Sequence, residues 1–378
     1  MNSYSPQGQG TGTKLPITNR RAIAATVAVT TILILLDAVG CGSASSSDAA
    51  SDSLAPTSAI GAAGSTFVAP LMSNWISGYQ RAHPRALINY RPIGSGGGID
   101  EFKKGLLAFA ASDAPLTDDE IKDLSPTIQM PGTAGPVCII YNLPGLAKPL
   151  RLSPTTLAGI YLGTIISWQD PAIVRDNPGV MLPRAAVVVI HRSDGSGTTN
   201  ILTTYLSRIS KDWKSGHGLS VTWPMGLGAD GSKGVLDLVK QSPGTVGYLE
   251  LNYAKENAIP VAAIENRAGA FVDPTPNSTA AAIEAFEPDL VRDIRSPIVD
   301  PPASAKSAYP IAGLTFLLVP KDRTRKDEQI AVKDFIAYAI STGQESAEQL
   351  SYAKLPPSVQ QKAQALLTQL TANGQPLQ

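Results

Sequence analysis

The amino-acid sequence predicts an α/β protein, and three observations predict it. Short apolar runs of strand composition alternate with stretches whose apolar residues recur every three or four positions, as in helices packed on a sheet. The strand-like runs end in segments rich in glycine, hydroxyls and carboxylates, where a chain turns from strand to helix. The length of 378 residues suits about two domains, at ~150 residues each.

Taken in order, Phe67, Val68, Leu71, Met72, Trp75, Ile76 and Tyr79 form one apolar face of a helix that ends near His83 and Pro84. Ala86 to Tyr90 reads as a short strand. It is followed by a loop, Gly94-Ser95-Gly96-Gly97-Gly98, and a helix carrying Ile99, Phe102 and Leu106. Leu107 to Ala111 returns as a strand into Ser112-Asp113-Ala114-Pro115. Ala185 to Ile190 has the composition of a fully buried strand and runs into His191-Arg192-Ser193-Asp194-Gly195-Ser196-Gly197-Thr198. A helix with Ile201, Leu202, Tyr205, Leu206 and Ile209 on one face comes next. Gly244 to Leu249 and Leu314 to Val319 are further strands, and the chain closes with helices over Ile330–Ile340 and Val359–Leu370.

Composition excludes several function classes. Thirty-one Lys and Arg balance 31 Asp and Glu, and no basic stripe with interleaved aromatics offsets that balance, so nucleic acid is not an expected partner. Cys41, Cys138, His83, His191 and His217 are the whole thiol and imidazole complement. They cannot build a Cys-rich zinc site or a disulfide framework, and neither metal nor cofactor is expected. Cys138, within the apolar stretch Val137–Tyr141, reads as a buried, inert core residue.

Residues 1–40 read as a signal peptide: a polar start, Arg20-Arg21, then the apolar run Ala22–Leu36, which is shorter than the ~20 residues of a membrane span. Ala38-Val39-Gly40-Cys41 resembles a bacterial lipobox, with Cys41 as the lipidated mature N-terminus. Ala38 stands where leucine is usual, and an ordinary signal peptide with an incidental cysteine is the alternative. Arg20-Arg21 leaves a twin-arginine export route open as well. Residues 41–57, rich in Ser and Ala, suit a flexible tether.

Three segments share one form, a glycine-rich turn bearing hydroxyls ahead of a helix: Gly64-Ser65-Thr66-Phe67, Gly94-Ser95-Gly96 and Gly195-Ser196-Gly197-Thr198. The first turn of a helix presents unpaired N–H groups and the positive end of its dipole, so each is a candidate anion seat; each hydroxyl is equally a candidate N-cap. Other readings fail on spelling. The second segment lacks the Lys-Ser/Thr of a Walker A loop, and Asp194 breaks the G-x-S-x-G pattern. Ser196 with His191 as its base is a remote catalytic alternative, because His191 stands at a strand end where packing is the better expectation.

GAAGSTFVAP (61–70), IGSGGGID (93–100), ASDAPLTDDE (111–120), YLGTIISWQDPAI (161–173), HRSDGSGTT (191–199), WPMGLGADGSKGV (223–235) and PGTVGYLELNYA (243–254) resemble, in order, the phosphate-binding subunit of the bacterial high-affinity phosphate ABC transporter. The resemblance implies a two-lobed periplasmic-binding-protein fold, each lobe a sheet flanked by helices, joined by two hinge strands within GPVCIIYNL and PIAGLTFLLV. Lobe I would be 58–134 plus 309–378 and lobe II 135–308. It also implies phosphate ligands at Thr66, Phe67, Ser95, Asp113, Arg192, Ser196, Gly197 and Thr198, with Asp194 orienting Arg192. No catalytic residue and no chemistry on the ligand are implied. Ala108 and Ala110 depart from the family, where aspartate and glycine are frequent.

Phosphate near neutral pH carries at least one P–OH, so a dry site must offer many donors and one acceptor. A carboxylate facing an anion makes sense as that acceptor, and Asp113 fits the role; its plainer reading is a turn or cap residue ahead of Pro115. A site built around a required OH rejects analogues lacking it by about 10⁴–10⁵. The expected function is therefore an exported, lipid-anchored, monomeric phosphate receptor at the outer face of the cytoplasmic membrane or in the periplasm. Its partners would be the permease and ATPase subunits of an importer. A receptor for sulfate or molybdate and a secreted phosphatase are the alternatives.

Overall fold

The computed structural model describes residues 58–146 and 148–377. The expected signal peptide, Cys41 and tether lie outside the described residues. The main sheet has eight strands, numbered here in chain order: β1 (Ser58–Gly64), β2 (Ala86–Arg91), β3 (Phe109–Ser112), β4 (Thr127–Tyr141), β5 (Val188–Arg192), β6 (Leu227–Ala229), β7 (Thr245–Glu250) and β8 (Ala312–Pro320). Their spatial order is β2-β1-β3-β8-β4-β7-β5-β6.

That order explains the two-lobed form. β1 runs parallel to β2 and β3, and β5 runs parallel to β6 and β7. Between these two parallel sets lies the antiparallel pair β4 and β8. β4 changes partner midway: Thr127–Pro136 pairs with β8, and Val137–Tyr141 pairs with β7. One 15-residue strand thus belongs to both halves of the sheet. Its burial from Met130 through Tyr141 accounts for the continuous apolar spelling of this stretch.

Four helices begin beside the sheet's central strands: α1 (Ala69–Ala82), α2 (Gly94–Lys103), α3 (Gly197–Ile209) and α4 (Gly231–Gln241). In α1 the expected face is the buried one, with Leu71, Met72, Trp75 and Tyr79 inside. The glycine run 94–98 is not a loop, as the sequence suggests, but the opening turns of α2. Close packing is the reason: a side chain at Gly98 would collide with the backbone of Gly64, and one at Gly96 would meet Gly195 Cα at 2.9 Å. Leu106 falls past the end of α2 and is exposed. Cys138 is fully buried in β4, and burial pushes its thiol well above its ordinary range.

The helices Pro276–Ala285 and Glu287–Arg292 lie within the stretch expected as lobe II. Their Ala282, Ile283 and Leu290 share an apolar cluster with Ala63, Phe102, Leu355 and Val359, residues of the expected lobe I. Lys362 adds a 3.3 Å bond to the Leu290 carbonyl.

Candidate functional site

The site forms where β1, β3 and β5 end. Gly64 sits at φ +140°, and a Cβ there would strike the Ala111 carbonyl, so only glycine turns the chain over β3. The Ser65 N–H then bonds that carbonyl at 2.8 Å. This places Ser65, Thr66 and Phe67 ahead of α1, and the N–H groups of Thr66 and Phe67 find no acceptor among the described residues. Phe67 itself is a packing residue: its ring meets Tyr352 edge-on at 5.9 Å.

Asp113 follows directly after β3 and is 3% exposed. Ser65 Oγ donates to its Oδ2 at 2.6 Å, Thr315 Oγ1 to its Oδ1 at 2.6 Å, and Ser95 Oγ reaches Oδ2 at 3.5 Å. Thr315 is delivered by a register shift in β8 between Thr315 and Phe316, a bulge that re-aims the side chain. Burial pushes the Asp113 carboxyl up to about 6, with Ser65, Thr315, Arg192 and Ser95 each pulling against it. A carboxylate has about four lone-pair positions; the three hydroxyls leave one to accept a ligand O–H.

Arg192 ends β5 and is 4% exposed. Its Nε donates to Asp194 Oδ1 at 2.6 Å, and Nη2 pairs with Oδ2 of the same carboxylate. Asp194 also accepts from the Gly231 N–H at 3.1 Å. Against the cost of burial, Arg192 holds the Asp194 carboxyl below its usual range. Asp194, expected to orient the guanidinium, thus pairs with it through both carboxylate oxygens. The rest of the guanidinium faces hydroxyls: Nη1 donates to Thr66 Oγ1 at 3.2 Å and to Ser232 Oγ at 3.3 Å.

Ser196 acts as the N-cap of α3, accepting from the Thr199 N–H at 3.2 Å, so the capping alternative holds for its side chain. Thr198 is different. It is 1% exposed, and its hydroxyl has no partner among the described residues. Gly197 abuts the other lobe so closely that a Cβ would sit 2.6 Å from Asp113 Oδ2 and from Ser95 Oγ. The Gly96 N–H donates to the Gly195 carbonyl at 2.8 Å, a main-chain bond joining the two glycine-rich turns. Thr66 on one side thus meets Arg192 on the other, and Ser95 and Asp113 meet Gly197, with Thr198 next in the chain. A cavity of about 690 Å³, walled by Asp113, Ile99, Asn200, Thr204, Arg208 and Leu314, adjoins these residues. His191 is not brought to Ser196: its ring stacks on Trp223 at 5.0 Å, and its Nδ1 lies 3.0 Å from the Arg192 carbonyl.

Three polar residues of the site, Thr315, Ser232 and Glu250, were not expected, and Ser65 was expected only as a hydroxyl of the first glycine-rich turn. Ser65 and Thr315 solvate Asp113, while Ser232 and Glu250 extend the network behind Thr66: Ser232 Oγ lies 2.8 Å from Thr66 Oγ1 and donates to Glu250 Oε2 at 3.1 Å. Ser232 had a signal, because Asp230-Gly231-Ser232, the cap and first turn of α4, repeats the glycine–hydroxyl–helix form of the other three turns. Glu250 stood out only as a lone charge in an apolar run. Thr315, inside a continuous apolar strand, carried no signal. Among the described residues no group of three or more His, Cys, Asp or Glu side chains is placed to hold a metal.

Residues 43–342 match the model of the PBP superfamily domain. A phosphate-binding protein PstS of Xylella fastidiosa is 38% identical over 309 residues, covering 81% of this chain and 84% of that one. The chain belongs to this family. A PstS of Methanocaldococcus jannaschii is 36% identical over 366 residues, covering 90% of this chain and 93% of the relative. Among solved structures, a high-affinity periplasmic phosphate-binding protein with bound phosphate superposes with a TM-score of 0.67 at 21% identity, covering 82% of this chain and 93% of that one. A phosphate-binding protein from Stenotrophomonas maltophilia gives 0.62 at 18% identity, with 82% and 93% covered. At such identities the structural likeness establishes the fold, two lobes around the hinge strands. Among the described residues no helix is long and apolar enough to cross a membrane.

Proposed function

We propose that this protein is the extracytoplasmic receptor of a phosphate ABC importer, holding inorganic phosphate between its lobes and passing it to the membrane permease and ATPase subunits. The observation that carries the reading is Asp113. A buried carboxyl with one lone-pair position unfilled, ringed by hydroxyls and close to Arg192, suits an anion that brings its own proton. The orphaned Thr198 hydroxyl supports it, since a buried hydroxyl without a partner costs ~1–3 kcal/mol and an anion oxygen would satisfy it. Thr66, Phe67, Ser95, Gly197 and Thr198 supply donors, Arg192 the charge, and Ser196 shapes the turn. Calorimetric titration should give tight phosphate binding and no measurable sulfate binding at pH 7; comparable affinities would overturn the reading.

The chain performs no chemistry on phosphate in this reading. Ser196 Oγ accepts the capping N–H of Thr199, which leaves its proton to donate to an anion, and His191, the base a nucleophile would need, is stacked away from it. Turnover of an aryl phosphate by purified protein, abolished by Ser196→Ala, would contradict this. We place the hinge crossings at 133–137 and near 309, with 58–134 and 309–378 as lobe I. The helices 276–292 travel with lobe I, given their packing on it, although they lie within 135–308. Anchoring through Cys41 belongs to the same proposal: Cys41→Ser should move the protein from the membrane to the soluble fraction, and retention of the variant on membranes would refute it.

A further inference from the structure

Behind Thr66 lies a buried carboxyl that the phosphate site, as proposed above, does not use. Glu250 ends β7, is 1% exposed, and its Oε1 has no partner. Its Oε2 is 3.1 Å from Ser232 Oγ, which is 2.8 Å from Thr66 Oγ1, and Arg192 Nη1 donates to both hydroxyl oxygens. Each hydroxyl has one proton and two lone pairs, so with the acid proton of Glu250 carried on Oε2, the oxygen that meets Ser232, the chain of three groups runs in one polarity when Glu250 is neutral and in the other when it is ionised. With Glu250 neutral, its O–H donates to Ser232, Ser232 donates to Thr66, and Thr66 has its proton left to point at an anion. With Glu250 ionised, Ser232 donates to Glu250, Thr66 donates to Ser232, and Thr66 turns a lone pair towards the anion instead.

We propose that Glu250 is a positioning residue of the phosphate site, which in its neutral form makes Thr66 a donor to phosphate by way of Ser232. The inference rests on the phosphate-receptor reading of Thr66. The titratable and charged groups facing Glu250 are Arg192, Asp113, Ser232, Tyr253, Cys138 and Tyr352, and Arg192 alone of these is positive. Burial pushes the Glu250 carboxyl up to about 8, with its own backbone N–H, Arg192 and Ser232 pulling against it and Asp113 adding to it. The neutral form therefore prevails at neutral pH and gives way above about 8.

The test is phosphate affinity from about pH 6.5 to about 9.5 for wild type, Glu250→Gln and Ser232→Ala, each checked for a cooperative thermal melt. Gln keeps an N–H donor to Ser232 at every pH, so the titrations of phosphate and Asp113 cancel in the wild-type to Glu250→Gln ratio. That ratio is expected to fall about tenfold one unit above the Glu250 midpoint, and the fall should shrink in Ser232→Ala. A flat ratio, or a fall persisting in full in Ser232→Ala, overturns the proposal. A second readout needs no altered site: by reciprocity, phosphate should raise the midpoint of the Glu250 carboxyl carbon-13 shift in glutamate-labelled protein. An unmoved midpoint also overturns it. Absence of phosphate binding by wild type at pH 7 would instead sink the functional reading.

Discussion

Besides its ion-pair partner Asp194, Arg192 acts on two buried carboxyl groups, Asp113 and Glu250, and the donors that meet those two differ. Asp113 is met by three hydroxyls, from Ser65, Ser95 and Thr315. Glu250 is met by one side-chain hydroxyl, Ser232, and by its own backbone N–H, and its Oε1 has no partner among the described residues. Both are buried and both feel the same guanidinium, yet burial raises Asp113 only to about 6 and Glu250 to about 8. The lesson is that local donors, rather than distance from solvent, decide which buried carboxyl stays charged at neutral pH. Asp113 remains an acceptor; Glu250 is held as an acid.

The largest expected effect comes from erasing the acceptor. Asp113→Asn should cut the phosphate over sulfate preference, expected on the scale of 10⁴–10⁵, towards unity, because the amide no longer repels a fully ionised oxyanion. Titrations of both anions at one ionic strength measure it, and an unchanged ratio would remove Asp113 from the selectivity argument. The same relaxation should occur in wild type as pH falls through about 6, where Asp113 takes up a proton.

Next in size is Arg192→Ala, which withdraws the cation both carboxyls share. Losing the one guanidinium N–H that Asp194, Thr66 and Ser232 leave free, a charge-assisted bond worth ~1.5–3 kcal/mol, should weaken phosphate by about 10–10²-fold. Asp194 is also stranded without its partner. Calorimetry at pH 7 reads this directly, and a loss under tenfold would mean that the main-chain N–H groups carry the anion.

Stability against pH compares the two carboxyls without any ligand. Each folded value lies above the unfolded one, so each group's stabilising contribution is complete below its unfolded value and is lost as pH rises through the folded value. For Asp113 the window runs from 3.8 to about 6, and for Glu250 from 4.5 to about 8. Relative to wild type, Asp113→Asn should gain up to ~3 kcal/mol across its window, and Glu250→Gln up to ~5 kcal/mol across a wider one. Denaturant unfolding at several pH values tests this. Equal windows for the two variants would mean that the donor count does not govern the difference. The smallest effect is that of Thr315→Val: with one donor fewer, the pH at which sulfate rejection relaxes should rise by about one unit.

Much of this was legible in the sequence because turns and helix starts have a local grammar. Gly64-Ser65-Thr66 and Gly195-Ser196-Gly197 announce themselves in a few residues, and Arg192 and Asp113 stand at the ends of apolar runs. The residues that set the charge states were not legible in the same way. Thr315 reaches Asp113 across 202 positions through a bulge in an apolar strand, a relation that exists only once β8 lies between β3 and β4. Glu250 acquires its meaning from Ser232 on α4 and Thr66 before α1, three segments that only the sheet order brings together. The glycine run 94–98 misled in the opposite direction: its composition spells a loop, but tight packing against Gly64 and Gly195 makes it a helix.

The bond from the Gly96 N–H to the Gly195 carbonyl has an evolutionary consequence. Because it joins main chain to main chain, substitutions that alter only side chains cannot remove it, and because a Cβ on either glycine would meet the other's backbone at 2.9 Å, almost none can be accommodated there. The inner side chains, by contrast, can be exchanged one at a time. Descendants of such a chain can drift towards other oxyanions by trading Asp113 or Thr198 while inheriting an unaltered link between the two turns, so what is recognised and what joins the turns are free to evolve separately.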